Sequence, residues 1–208
     1  MLREMRICAV DIGIVNMATC VLACGNPGSS SCPLERCQEL LKGSEIVSWS
    51  VEDIRSGSAR AVRTLSTAQV IEMTSEYVTR HSELLATCDV IVIEQQPAAK
   101  MRNASIALYC FIRSALKNTH VAFQPACRKL DWGCNLRQFL PSADTTTKSR
   151  RKSTATCLVD ALLRACGDSK TQALETFRKH RKKDDMADAL LHALACVVRP
   201  PAPSRAMV

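Results

Sequence analysis

The residues of this sequence that could do chemistry are a few carboxylates at the ends of apolar segments. Asp11 closes the apolar segment RICAVD, and Glu94 closes DVIVIE. Asp185 and Asp188 are three residues apart, at the start of a segment that is apolar from Ala187 onward. Residues at this spacing share one face of a helix, so these two carboxylates should point the same way. A carboxylate carried towards an apolar core needs compensation, which a bound cation supplies.

Each acid also has an ordinary structural interpretation. An acid at the end of an apolar run can mark where a strand reaches water. The helix dipole favours acids in a first turn, where Asp184 can serve as the cap. The combination favours a site, because four carboxylates without a histidine or cysteine ligand pattern suit an oxygen-preferring ion, Mg²⁺ or Mn²⁺. Two such ions about 4 Å apart can activate water against a phosphodiester and stabilise its leaving oxygen.

The charge of the chain indicates what such a site would act on. The sequence has 208 residues, a net charge of +8 and two basic runs, KSRRK at 148–152 and RKHRKK at 178–183. Runs like these are often solvated surface, but they are also typical of proteins that bind a polyanion. If the carboxylates bind metal, the neighbouring lysines and arginines would bind the phosphates of the substrate.

Hydrophobic patterning predicts the elements that must position these residues. Strands are predicted at 6–11, 16–23, 45–51, 89–94 and 120–123. Helices are predicted after the capping box of Ser66 and Gln69 and at 105–116, 152–165, 171–179 and 183–198. Strands that come first and then alternate with helices predict an α/β fold, with a mixed sheet flanked by helices.

The domain organisation follows from the segments between these elements. We expect one domain over residues 1–199, because a chain of 208 residues favours a single domain. Within it, the Gly-, Ser-, Pro- and Cys-rich stretch 25–43 is expected to be a loop insertion, and 125–149 an irregular, substrate-facing loop. The Pro-rich tail 200–208 is expected to be disordered.

Composition excludes several classes of protein. A hydrophobic fraction of 47% provides apolar matter for a core and excludes a wholly disordered chain. No apolar run approaches the roughly 20 residues of a membrane helix, and the start of the chain lacks a signal-peptide pattern. The 12 cysteines lack Cys-x-x-Cys spacing and following zinc-finger histidines. We therefore expect reduced thiols in an intracellular protein, with no zinc site and no membrane partner.

Three motifs occur in the order found in a known family. DIGIVN begins at Asp11, IEQQ contains Glu94, and KKDDMADAL contains Asp185 and Asp188. Together they resemble the RuvC-type Holliday junction resolvases of the RNase H and retroviral-integrase-like superfamily. They look most similar to the poxvirus branch, followed by the fungal mitochondrial enzymes. The resemblance spans most of the chain and implies an RNase H-like fold.

The resemblance also implies a function. It implies a Mg²⁺-dependent endodeoxyribonuclease, with Mn²⁺ as a substitute, whose catalytic and metal-binding residues are Asp11, Glu94, Asp185 and Asp188. It implies a homodimer that binds a four-way DNA junction and nicks two opposed strands symmetrically. In the poxvirus branch the task would be resolution of viral DNA concatemers in the host cytoplasm. The basic residues predicted to contact DNA are Lys100, Arg102, Lys148, Arg150, Arg151, Lys152, Lys182 and Lys183, with Lys148 or Lys152 nearest the scissile phosphate.

A few residues depart from the family pattern or have two interpretations. Bacterial relatives have an aromatic residue that opens the junction at the position of Pro97, so Met101 or another side chain would have to replace it. Gly13 is expected to give the DIGIV turn a positive φ. His192, in an apolar helix, is expected to be a core residue rather than a metal ligand. Trp132 is expected to pack, with base stacking as the alternative.

Three alternative functions remain open from the sequence. The same fold and metal site could act on RNA–DNA hybrids or on other branched DNA. A non-catalytic junction-binding protein would account for the basic runs, although it gains nothing from acids that face a polyanion. A sugar kinase or actin-like ATPase also begins with an acid and a glycine turn, but the 7 glycines form no second phosphate loop.

Overall fold

The fold is seen in a computed structural model, which describes residues 4–24, 30–55, 64–96, 98–130 and 147–198, without the side chain of Lys148. The strands are β1 (Met5–Asp11), β2 (Met17–Cys24), β3 (Glu45–Glu52), β4 (Val90–Gln95) and β5 (His120–Pro125). The helices are α1 (Pro33–Gly43), α2 (Thr67–Arg80), α3 (Ser82–Ala86), α4 (Ala99–Ala115), α5 (Lys148–Ala165), α6 (Thr171–Lys179) and α7 (Lys183–Val198). Short 3-10 turns follow β5 and α5.

The strands form one mixed sheet in the order β3-β2-β1-β4-β5. β2 pairs antiparallel with β1 and with β3, whereas β4 pairs parallel with β1 and with β5. The carboxyl ends of β1, β4 and β5 therefore meet at one edge, the place where α/β sheets bind their ligands. The α/β mixed sheet predicted from the sequence is confirmed, and the pairing brings the ends of RICAVD and DVIVIE side by side.

Helices cover both faces of the sheet because its central strands are apolar on both sides. Along β1, Ile7 and Ala9 face a layer made of α1, α5, α6 and α7, whereas Cys8 and Val10 face a layer made of α2, α3 and α4. Helix α7 lies between the sheet and its neighbours α1 and α5. Every residue from Met186 to Val198 is buried, which explains why this helix is apolar nearly all round.

The loop predicted at 25–43 is wrong for most of its length. Residues 33–43 form α1, which begins with Pro33 in its first turn and buries Leu34, Cys37, Leu40 and Leu41. Proline is favoured at that position because its fixed φ suits a helix and its missing N–H has no helical partner. The helix connects β2 to its antiparallel neighbour β3, and residues 25–29 lie outside the described part of the chain.

Two smaller predictions also need correction. Gly13 does not have the positive φ that was expected; among the described glycines, Gly167 does, at 63°. A side chain at Gly13 would instead place its Cβ 2.5 Å from the backbone oxygen of Asn16, so the turn needs glycine for close approach. Helices α4 and α5 begin at Ala99 and Lys148, earlier than predicted. The basic residues at 100 and 102 and the basic run at 148–152 therefore lie at helix N-termini.

Several sequence predictions fall outside the described residues. These are Pro97, Trp132, the tail 200–208 and most of the loop 125–149. In the described part of the chain, none of the helices has the length and apolarity needed to cross a bilayer. No disulfide joins the cysteines that the structure describes.

Candidate active site

Three of the four predicted carboxylates meet in a buried cluster. Asp11 ends β1, Glu94 lies near the end of β4, and Asp188 lies in the second turn of α7. All three side chains are almost completely buried. Parallel pairing aligns β1 with β4, and α7 crosses both strands, so the fold brings these acids together from three separate segments.

Two further side chains hold the cluster together. The Lys129 ammonium lies between two of the acids, 3.2 Å from Glu94 Oε1 and 2.6 Å from Asp188 Oδ2. The Gln96 amide donates to Glu94 Oε2 at 2.6 Å and to Asp11 Oδ1 at 3.3 Å. Lys129 belongs to the 3-10 turn after β5, and Gln96 directly follows β4. Both therefore come from the same edge of the sheet as the acids.

The charges of this cluster are not balanced, because three carboxylates surround one ammonium. Burial, followed by the interactions with Glu94 and Asp188, raises the pKa of Asp11 well above its usual range. Burial also raises the pKa of Asp188, although Lys129 opposes the change. Burial would raise the pKa of Glu94 too, but Asp11, His192 and Lys129 outweigh it and hold that pKa well below its usual value. A bound cation would relieve the repulsion among the three acids.

Asp185 lies outside the cluster, one turn before Asp188. Its Oδ1 is 3.4 Å from the Lys152 ammonium, which also pairs with Asp184. Burial tends to raise the pKa of Asp184, but the hydrogen bond from Lys152 prevails and lowers it. Lys152 lies on the second turn of α5, so this contact joins the N-terminus of α5 to that of α7.

The donor set fits a divalent cation of the Mg²⁺ type. Asp188 Oδ1 and Asp185 Oδ2 are buried and have no hydrogen-bond partner among the described residues. Such oxygens carry an energetic cost unless a cation or water contacts them. Across the described ranges, no three acid, histidine or cysteine side chains already stand at ligand distance from a common point. The ammonium of Lys129 bridges Glu94 and Asp188 in this arrangement, as a cation would.

Most of the predicted DNA contacts lie around the same edge of the sheet. Arg150 and Arg151 are exposed in the first turn of α5, beside Lys152. Lys182 and Lys183 are half-buried at the start of α7. In the first turn of α4, soon after β4 ends, stand Lys100 and Arg102. For Lys148 only the backbone is described, at the start of α5.

The second basic run divides into two parts. Arg178 and Lys179 end α6, where they form ion pairs with Asp160 and Glu175. These two residues face acids of their own layer, so the structure gives no reason to group them with the carboxylate cluster. At the end of the run, Lys183 begins α7 and Lys182 directly precedes it, next to the acids of that helix.

Sequence reasoning missed two residues of the site, Lys129 and Gln96. For a third, His192, it predicted the burial but not the position beside Glu94. Lys129 belongs to no motif, and only the end of β5 beside β4 reveals its position. Gln96 lies in the IEQQ motif, two residues after Glu94, which is a signal that could have identified it. His192 is buried as predicted for a core residue, but its Nε2 is also 3.5 Å from Glu94 Oε1. Neither ring nitrogen has a hydrogen-bond partner among the described residues.

Comparison with known proteins supports the architecture. No protein-family model matches the chain, and no curated protein matches it. The crystal structure of the yeast mitochondrial Holliday junction resolvase Ydc2 is similar, with a TM-score of 0.61 and 17% identity over 94% of this chain and 80% of that one. Thermus thermophilus RuvC, alone and with a Holliday junction substrate, aligns with TM-scores of 0.48 and 0.49, at 14% and 13% identity, over 93% of this chain and 94% of those chains. The mixed sheet and the likeness to the yeast resolvase establish the RNase H-like fold.

Proposed function

We propose that this protein is a divalent-metal-dependent endonuclease that resolves four-way DNA junctions. The observation that carries the proposal is the meeting of Asp11, Glu94 and Asp188 at the carboxyl edge of an RNase H-like sheet, with Asp185 one turn away. A binding protein would gain nothing from burying acids beside a basic surface. The likeness to a mitochondrial Holliday junction resolvase and the three sequence motifs support the choice of substrate.

The chain would hold Mg²⁺, or Mn²⁺ in its place, through these four acids. When bound, such ions supply Lewis acidity and an activated water for attack on phosphorus. Without them, Lys129 compensates Glu94 and Asp188, and Gln96 fixes the orientation of Glu94. The exposed basic residues at the N-terminus of α5 would bind the DNA backbone beside the site. Binding should therefore weaken steeply as salt is added.

Symmetric resolution of a junction requires two sites. We propose that the active form is a homodimer, which nicks two opposed strands and leaves 5′-phosphate and 3′-hydroxyl ends. The motif resemblance to the poxvirus branch supports a role in resolving viral DNA concatemers. A cruciform extruded from an inverted repeat in a plasmid is the matching test substrate, and two nicks placed symmetrically about its centre are the expected product.

The first experiment is a cleavage assay on a labelled synthetic four-way junction, with linear duplex and RNA–DNA hybrid as competing substrates. It compares wild type, Asp185→Asn and the control Asp160→Asn, each in Mg²⁺, in Mn²⁺ and in EDTA. Asp160 is a suitable control because it is an acid of α5 that pairs with Arg164 and Arg178 away from the cluster. Paired nicks in the junction alone, lost with EDTA and in Asp185→Asn but kept in the control, are expected.

Two other results would revise the proposal. Junction binding without cutting in either metal would contradict the nuclease and favour a binding protein. Cutting of the hybrid instead of the junction would keep the metal site and change the substrate.

A further inference from the structure

A cleft runs along one edge of the sheet, between β3 and helix α6. β3 is the last strand in the sheet order, so its outer side pairs with no strand of the described sheet. The cleft has a volume of about 460 Å³. Residues 44–49 form one wall, and the opposite wall includes Lys170, Ala173 and Thr176. An edge strand therefore faces a helix across an open space.

The backbone of the strand wall has polar groups that the sheet does not use. The register pairs Ser48 with Val21 and Ile46 with Leu22, so Val47 between them is an extra residue without a partner on β2. The extra residue of a bulge is left out of the ladder of hydrogen bonds. The outer side of an edge strand also presents N–H and C=O groups that can pair with another chain. Because α6 flanks this edge, the space suits one extended chain better than a second sheet.

A buried lysine lines the opposite wall. Lys170, which directly precedes α6, is only 8% exposed. Its ammonium donates to the backbone oxygen of Ser169 at 3.4 Å, and no carboxylate of the described residues pairs with it. A buried ammonium without a negative partner is energetically costly. Glu45 also lines the cleft, but its side chain is exposed and water screens its charge. The unmatched positive charge therefore favours an occupant that brings a carboxylate.

The length of the strand wall favours an extended occupant over a small anion. Residues 44–49 line the cleft without a gap, and a strand of that length spans roughly 17 Å. A free anion would contact only the part beside Lys170. An extended peptide could pair with the backbone along the whole wall and also reach the ammonium. Addition of a peptide strand to an open sheet edge is a recurring mode of recognition, in which main-chain hydrogen bonds provide much of the affinity.

We propose that the cleft between β3 and α6 binds an extended segment of a partner protein, which adds to β3 as a further strand and sets a carboxylate against Lys170. An acidic side chain and a C-terminal carboxylate present the same two oxygens to the ammonium, so both sources fit this chemistry. DNA is a poorer occupant, because its backbone has no N–H groups to pair with a strand edge.

The cleft is separate from the carboxylate cluster. β1 and β3 both pair antiparallel with β2, so they run in the same direction, and Glu45 lies at the end of the sheet opposite to Asp11. A peptide in the cleft would therefore leave the acids open, and its binding does not depend on the proposed nuclease activity. Trp49 provides a reporter of binding, because it lines the cleft and its indole N–H donates to the backbone oxygen of Met186 on α7, at 3.0 Å.

The test uses the isotope-labelled full chain and three hexapeptide probes of alternating threonine and valine. The first probe has a free C-terminal carboxylate, the second is amidated and has one central glutamate, and the third is amidated and has glutamine there. Two-dimensional NMR follows the assigned amides of residues 44–49 and the indole N–H of Trp49. At least one acidic probe should shift these signals. The glutamine probe should bind about tenfold more weakly, because it leaves the ammonium unpaired. The acidic probe that binds identifies the source of the carboxylate.

Lys170→Met tests the charge at the cleft. Methionine fills a space similar to that of the lysine stem, so the variant should fold, which circular dichroism and thermal melting check. Its affinity for the acidic probe should fall about tenfold, to that of the glutamine probe. The matched control is Lys179→Met, which removes an exposed lysine of α6 that pairs with Glu175. This control should bind every probe as wild type does.

N-methylated probes test strand addition without any change in the protein. Two versions of the binding probe carry N-methyl groups on alternate residues, so that each version blocks the N–H groups along one edge of the peptide. A peptide strand pairs with β3 through one edge only. One version should therefore lose at least about tenfold in affinity, and the other should bind like the unmodified probe.

Several results would overturn the inference. No shift at residues 44–49 with any probe at millimolar concentration would exclude a peptide site. Equal binding of the acidic and glutamine probes would exclude Lys170 as the partner of a carboxylate. Equal binding of the two N-methylated versions would exclude strand addition. Shifts of the same signals by acetate alone, with no gain in affinity from the peptide, would identify a site for small anions instead.

Discussion

Two acids on successive turns of α7 have different environments in this protein. Asp188 points into the sheet edge and shares a buried cluster with two other carboxylates and the ammonium of Lys129, which is 13% exposed. Asp185, one turn earlier, pairs with Lys152, which is 38% exposed and can leave towards solvent. Burial therefore keeps the inner carboxylate among fixed partners, whereas the outer carboxylate is held by a long side chain whose charge is screened by water.

The difference indicates that the site has inner acids with fixed partners and an outer acid whose partner can change. The inner acids are positioned by the strands and by Lys129 before any ligand arrives, and their mutual repulsion favours a cation. The outer acid can change partners, because phosphate could draw Lys152 away and leave its carboxylate to a metal.

The largest effect is expected from neutralising the inner acid. Asp188→Asn should lower the single-turnover rate of junction cleavage by about a thousandfold or more, because the proposed metal-binding set would lose a charged ligand. Junction binding at fixed salt should be kept or strengthened, since a charge that repels DNA is removed. The rate is measured with quenched-flow or manual time courses on labelled junction, and binding by gel shift in EDTA. Equal losses of binding and cutting would contradict the metal-binding role.

The next largest effect is expected from removing the ammonium group of Lys129 from the inner cluster. Lys129→Met should lower the free energy of unfolding by about 3–5 kcal/mol, because Glu94 and Asp188 lose the partner that offsets their buried charges. Mg²⁺ or Mn²⁺ should restore more stability to this variant than it adds to wild type, because the acids then depend wholly on the metal. Urea unfolding with metal and with EDTA measures both quantities. An identical metal response in the two proteins would argue against a metal at these acids.

The sequence predicted the positions of the strands better than it predicted which side chains meet at their ends. Apolar runs closed by an acid placed Asp11 and Glu94 at strand ends, and the helical spacing placed Asp188 within the apolar part of α7. Lys129 could not be found in this way, because it follows no periodic segment and only the parallel pairing of β4 with β5 brings it to the acids. Helix α1 was missed because the stretch 25–43 that contains it is rich in Gly, Ser, Pro and Cys, the composition of a loop, although the leucines of α1 recur at helical spacing.

A smaller effect, of opposite sign, is expected at the first acid. Asp11→Asn should raise the free energy of unfolding in EDTA by about 1–2 kcal/mol at neutral pH, since it removes one charge from a buried set that lacks balance. For a chain of this size, each kcal/mol corresponds to about 2–4 °C in melting temperature. Thermal melting of the variant and of Asp160→Asn gives the comparison. The control should not gain stability, because it loses its ion pairs with Arg164 and Arg178.

The pH dependence of that gain has a definite sign. Because the folded pKa of Asp11 is raised, the folded protein binds its proton more tightly than the unfolded chain does. The group therefore lowers stability as pH rises from the ordinary aspartate range towards the raised pKa. Melting curves from pH 4 upward should show the advantage of Asp11→Asn growing with pH and vanishing at the acid end. An advantage that is the same at every pH would exclude charge as its cause.

The smallest effect on stability is expected at the outer lysine. Lys152→Met should change the free energy of unfolding by less than about 1 kcal/mol, because its ion pairs with Asp184 and Asp185 are partly exposed and are screened by salt. If phosphate draws this lysine away from Asp185, cutting should nevertheless fall, and junction binding should become less sensitive to salt by about one phosphate contact. Urea unfolding and salt titrations of binding separate the two results. A large loss of stability would mean that Lys152 is as fixed as Lys129, and the contrast between inner and outer acids would fail.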